Sequence, residues 1–207
     1  MIHIELVIVL IVAITSSVQP ISQMCGNSTQ NVEDAFRNGE IFKDLNLSPP
    51  SDGMGFITVT YGKKQVSCGT LLSVTDAFLP PTISYVAESS NNYTVIMLEV
   101  DFPTRTSPVG RSYIHWMMLN VHGSDIDSGN VASFYEPPGY LSIAEPHRYA
   151  FLVYKQSNGL MEPRPQNIIR AKFNVREYAH DHGLNSPVAG NYFFIETVST
   201  NPAKVTI

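Results

Sequence analysis

Cysteine is nearly absent from this chain: Cys25 and Cys68 are the two it has, so no C-x-x-C pair can form. Charge is scarce as well, with Asp, Glu, Lys and Arg at 15% of the 207 residues and a formal net charge of −5. No basic patch or stripe stands out, and nucleic acid is therefore not an expected partner. H-x-x-x-H spacing and the nucleophile elbow are both missing. Nothing repeats, and strands do not alternate regularly with helices, which argues against a doubly wound α/β fold. Beyond the N-terminus, no stretch is long and apolar enough to span a bilayer.

What is present is an apolar content of 43%, enough for a sizeable core, punctuated by 14 prolines and 13 glycines. Turns should be frequent and long helices few. The apolar run Leu6–Ile14, followed by the small and polar Thr15–Ser17, has the length of a signal-peptide core. It departs from the usual pattern in having no Lys or Arg before it, and in carrying Glu5. The expected organisation is a signal peptide over 1–17 and a single domain over 18–207 with a short flexible N-terminal segment; the expected location is extracellular.

Two further features agree with export. Asn27, Asn46 and Asn92 each head an N-x-S/T glycosylation pattern, whereas the Asn185 triplet is closed by proline. In an oxidising compartment Cys25 and Cys68 have one pairing open to them. The alternative is two unpaired buried thiols.

Asn31–Asn38 reads as a short helix, with Asn31 to cap it and Gly39 after its end. Asn174–Gly183 reads as another, with Asn174 as cap, Glu177 at the capping-box position and Gly183 at a left-handed exit. Strands are expected over 56–62, 66–72, 82–88, 93–100, 113–121, 149–156 and 190–198, where β-branched and aromatic residues gather. The pattern predicts an antiparallel β core with a few short helices at its edges. The nearly continuous apolar runs "IMLEV" and "WMMLNV" predict strands covered on both faces, by a second sheet or by helices.

Polar residues stand at the ends of three of these strands. Glu99 and Asp101 close one, with Pro103 and Arg105 just beyond; two residues apart, they should share a face. His115 opens the second, and His147, Arg148 and Tyr149 open the third. By alternation His147 and Tyr149 share a face and Arg148 takes the other, toward an acidic partner or a carbonyl. If the strands are neighbours, these ends converge.

Five ordered segments carry a specific resemblance. They are "EVDFPTR" (99–105), "YIHWMMLNV" (113–121), "GSDIDSG" (123–129), "EPHRYAFLVYKQ" (145–156) and "HGLNSPVAGNYFFIE" (182–196). Together they resemble the phosphatidylethanolamine-binding protein family, also called Raf kinase inhibitor proteins, over roughly residues 36–196. The resemblance implies a mostly β fold: a large central antiparallel sheet packed on a smaller sheet, with a few short flanking helices. It also implies a small anion pocket for phosphate-like head groups.

Carried over residue by residue, that pocket would comprise Glu99, Asp101, Pro103, Tyr113, His115, Pro138, Gly139, His147 and Tyr149. Glu99 stands where the family has aspartate, so its carboxylate reaches further in. Ile114 replaces the first of two adjacent histidines, and the C-terminal tail lacks the aromatic that closes the pocket in many relatives. Each histidine also has a plain alternative as a core side chain satisfied by a carbonyl.

The expected function is binding without catalysis, with no cofactor. The partner would be an anionic head group or small phosphate-bearing ligand, free or as a lipid at a membrane surface. Inhibition of an extracellular serine protease through a surface loop, around 90–94 or around Arg164, is the alternative. A metal-dependent or acid–base enzyme using Glu99, Asp101, His115 and His147 is a weaker one.

Overall fold

The computed structural model describes residues 25, 29–139, 145–162 and 169–195. The expected leader, Asn27, the Arg164 loop and the C-terminal tail lie outside the described residues.

Helices α1 (Thr29–Asn38) and α2 (Ile41–Asp44) precede strands β1 (Gly55–Tyr61), β2 (Lys64–Val66), β3 (Thr70–Leu72) and β4 (Thr82–Tyr85). Next come β5 (Asn92–Glu99), β6 (Tyr113–His122), β7 (Asn130–Ser133) and β8 (His147–Lys155). Helix α3 (Val175–Asp181) and β9 (Ala189–Ile195) follow. The strands pair in the order β2-β1-β9-β8-β5-β6-β7, with β3 on β9 and β4 on β1.

From β9 to β7 the large sheet is antiparallel. Strands β1 and β3 join β9 in parallel. Strand β1 belongs to two sheets: Gly55 and Phe56 pair with β9, and the residues after them pair with β4 and β2. The smaller sheet is thus β1, β2 and β4.

Alternation along β5 and β8 divides the core. Ile96, Leu98, Ala150, Leu152 and Tyr154 face a layer with Phe36, Ile41 and Ala179 from the three helices. Val95, Met97, Phe151 and Val153 face the smaller sheet, against Ile57, Val59 and Tyr61. Both faces of the central strands are therefore covered, which is what continuous apolar runs require. Burying a Leu, Val or Phe side chain contributes about 1.5–3 kcal/mol, so these two layers dominate stability.

The strand expected over 66–72 is interrupted. Cys68 is buried and bonded to Cys25, and Gly69 takes a left-handed φ of 96°. The amide of Cys68 donates to Asn191 Oδ1 (3.1 Å), and Asn191 Nδ2 donates to the carbonyls of Ile57 and Val66. A buried side-chain amide thus replaces the strand ladder at the break. In α3 the Glu177 amide donates to Asn174 Oδ1 (3.2 Å), and Val175 and Ala179 are buried. Gly183 follows with φ 64°.

Candidate functional site

Strands β6, β5 and β8 lie side by side, and their registers set Glu99 opposite both Tyr113 and Tyr149. His115 is two residues from Tyr113, and His147 two from Tyr149, so all five side chains share one face. Below them a cavity of about 110 Å³ is lined by Glu99, Tyr113, His115, His147 and Tyr149. Phe102, Glu136 and Gly139 complete the lining. A wider depression of about 790 Å³ on the outside of β1 and β4 has Tyr85 as its one titratable side chain.

Glu99 sits between the two imidazoles. His147 Nδ1 donates to Glu99 Oε1 (2.5 Å), and His115 Nε2 is 3.2 Å from Glu99 Oε2. The other nitrogen of His115, Nδ1, donates to the Glu136 carbonyl (2.8 Å). His147 Nε2 is buried with no hydrogen-bond partner among the described residues. The Glu99 carboxylate is desolvated, which alone would raise its pKa, but hydrogen bonds from the two histidines outweigh this and hold it below the usual range. Burial and the Glu99 carboxylate push the Tyr149 hydroxyl well up.

At the mouth, Tyr113 Oη donates to Glu136 Oε1 (2.9 Å), and Arg170 Nε pairs with Glu136 Oε2 (3.1 Å). Burial and that carboxylate push the Tyr113 hydroxyl up to about 12. Arg170 also donates to the carbonyls of Ile114 and Phe134, which pins the rim. Phe102 packs on Tyr113 at 4.8 Å, and His115 meets Tyr149 edge-on at 5.0 Å.

Of the residues expected from sequence, Glu99, Tyr113, His115, Gly139, His147 and Tyr149 meet at this cavity. Asp101, Pro103 and Pro138 are not among its lining. Asp101 does not share the Glu99 face, because β5 ends at Glu99 and the chain bends there. Fully buried, Asp101 accepts from the Arg148 amide and Nε (both 2.9 Å). Arg148 turns away from the cavity, donating also to the Gly39 carbonyl and to Asp44 (both 2.6 Å). Arg105 pairs with Glu40 (3.6 Å). Asn46 is exposed and Asn92 half-buried at the start of β5.

Phe102 and Glu136 escaped sequence reasoning. The first lies inside "EVDFPTR", hidden between two residues with stronger signals. The second opens "EPPG", a loop without periodicity, where a carboxylate two residues before Pro138 was the available clue. Among the described residues, no group of three or more His, Cys, Asp or Glu is set to hold a metal ion.

Comparison with known proteins bears on the family and the fold. The 26 kDa secreted antigen of Toxocara canis is 30% identical over 143 residues, which cover 66% of this chain and 55% of the antigen. Putative odorant-binding protein A5 of Drosophila melanogaster is 28% identical over 173 residues, 81% of either chain. Among solved structures, a carboxypeptidase Y inhibitor in complex with its cognate proteinase superposes with a TM-score of 0.72. At 21% identity, over 83% of this chain and 98% of that one, it shares the fold. The family model described as phosphatidylethanolamine-binding protein matches residues 52–193, and the chain belongs to that family.

Proposed function

We propose that this chain is an exported binding protein whose cavity takes phosphate-bearing head groups or related small anionic ligands, without catalysing a reaction. The observation that carries this reading is the buried Nε2 of His147, without a partner among the described residues, beside the cavity of about 110 Å³. A buried polar atom without a partner costs about 1–3 kcal/mol, and a ligand oxygen would recover much of that. The size suits one small head group. Family membership and the resemblance to a secreted antigen support both the ligand class and export. The Cys25–Cys68 bridge suits an oxidising compartment. Cleavage near residue 17 and glycans at Asn27, Asn46 or Asn92 are part of the same reading.

Calorimetry with O-phosphoethanolamine tests the pocket. Saturable one-to-one binding, lost in His147→Ala, is the expected result. A folded protein that takes up no phosphate-bearing ligand would sink it. N-terminal sequencing of the protein recovered from a secreting host tests export.

Inhibition of an extracellular protease is a second reading, favoured by the likeness to the carboxypeptidase Y inhibitor. A panel of serine proteases assayed with excess protein decides it: no loss of activity in any would remove this alternative.

A further inference from the structure

The contacts around Glu99 fix where protons must lie. His115 Nδ1 is 2.8 Å from a carbonyl oxygen, which can only accept, so that nitrogen carries hydrogen. A neutral imidazole has a single N–H. Its Nε2 would then turn a lone pair toward Glu99 Oε2 at 3.2 Å, lone pair against carboxylate. One proton held between His115 and Glu99 removes the clash, whichever atom it rests on. On the other side, His147 Nδ1 spends its hydrogen on Glu99 Oε1 (2.5 Å).

His147 Nε2 is therefore an acceptor in the neutral ring, and it is the atom left without a partner among the described residues. The side chain is 5% exposed, so bulk water does little for it. An oxyanion also offers lone pairs and nothing to donate. The two cannot meet unless a hydrogen comes between them.

We propose that the pocket takes up its oxyanion together with one proton, which passes from solvent to His147 Nε2 and is donated from there to a ligand oxygen. This rests on the phosphate-binding reading above and names what controls it. The surroundings favour a cationic ring once the ligand is in place. Glu99 faces it from β5, His115 and Tyr113 from β6, Tyr149 from its own strand, and Glu136 from the loop after β7. Arg170 is engaged by Glu136 (3.1 Å), and Arg148 by Asp101 and Asp44. No guanidinium is thus free to meet the anion in place of the imidazole among these groups.

The ligand class follows. A phosphomonoester, with a second pKa of about 6, brings the proton itself as P–O–H in mild acid. A phosphodiester has no such hydrogen, so its proton always comes from solvent.

Calorimetry of the full-length protein in two buffers of different ionisation enthalpy counts the proton. At about pH 8, where O-phosphoethanolamine is already the dianion, about one proton should enter per ligand bound. Affinity should fall as pH rises, by about tenfold per unit wherever one proton enters with the ligand. In His147→Gln the amide nitrogen donates without titrating, and the slope should vanish while binding persists. Ligand binding in the wild type with no proton uptake and a flat profile overturns the coupling but leaves the pocket reading intact. A slope retained in His147→Gln overturns the assignment to His147. No binding at any pH overturns the pocket reading, and the coupling with it.

Discussion

Glu99 and Asp101 are two residues apart, yet one carboxylate bridges two imidazoles at the cavity and the other neutralises a guanidinium in the core. Glu99 meets His115 and His147, whereas Asp101 is held by Arg148 on the opposite side of the sheet edge. The bend after β5 separates them, so one short acidic segment both builds the site and ties it to the helical layer.

Asp101→Asn tests the second half of that relationship. Arg148 is fully buried, and Asp101 and Asp44 are its acidic partners. Removing one partner from a buried pair costs about 3–5 kcal/mol, because the remaining charge stays desolvated. Urea unfolding should show the midpoint falling by that measure. Asp101 does not line the cavity, so the folded fraction should bind O-phosphoethanolamine nearly as the wild type does. Full stability with lost binding would reverse the assignment and return Asp101 to the pocket.

Glu99→Gln tests the first half, with two readouts. Glutamine can accept from His147 Nδ1 and donate to His115 Nε2, so the geometry survives without the negative charge. In the wild type the proton held between His115 and Glu99 already offsets that charge, and the variant sheds both together, so anion affinity at neutral pH should stay within about tenfold of the wild type. The second readout is acid stability. The Glu99 pKa is lower folded than its ordinary value of 4.5. The carboxylate therefore stabilises the fold above the unfolded value, and that stabilisation is lost as pH falls through the lower folded value. Urea midpoints measured from about pH 6 down to about pH 3 should fall more steeply in the wild type than in Glu99→Gln. Parallel curves would mean that the histidine contacts do not favour the ionised form.

Much of this site was legible because β5, β6 and β8 are apolar runs ending in polar residues. Such strands are covered on both faces, and their polar ends converge once β5 lies between β6 and β8. The alternation that set His147 and Arg148 on opposite faces needed nothing beyond strand geometry, whereas the choice of His147 for the pocket rested on the family resemblance. Asp101 escaped because alternation holds while a strand continues, and nothing in "EVDFP" marks the bend after Glu99. The break between β2 and β3 was hidden for another reason: Asn191, far along the chain, supplies the hydrogen bonds there. Helix α2, four residues long, is too short for a 3.6-residue period to show. Glu136 sits in a loop, where no periodicity ties side chain to cavity.

The Cys25–Cys68 bridge closes a sequence separation of 43 residues and ties the segment before α1 to the β2–β3 turn. Ser67 Oγ reinforces the same junction by donating to the Cys25 carbonyl (3.4 Å). Loop-closure entropy for a ring of this size gives about 4 kcal/mol of stabilisation. Reduction, or paired Cys25→Ser and Cys68→Ser substitutions, should lower the thermal midpoint by about 8–16 °C, taking about 2–4 °C per kcal/mol for a domain of this size. An unchanged midpoint under reductant, with free thiols confirmed by alkylation, would show that the bridge does not constrain the unfolded chain.

Gly110 offers a way to alter the cavity wall without touching a polar group. A Cβ added there would lie 2.4 Å from Phe102 Cδ1 and 2.9 Å from Cε1, so the ring has to move. Phe102 lines the cavity and packs on Tyr113 at 4.8 Å, and Tyr113 holds Glu136 through its hydroxyl. Displacing the ring disturbs both the wall and the mouth. Overpacking of this kind costs about 1–3 kcal/mol of stability. Ligand affinity in Gly110→Ala should fall about tenfold, since a comparable strain of about 1.4 kcal/mol is felt at the site. The double variant Gly110→Ala with Phe102→Leu should recover part of both losses, because the smaller side chain makes room for the methyl group. If Gly110→Ala binds O-phosphoethanolamine with unchanged affinity, Phe102 is not part of the wall that the ligand meets.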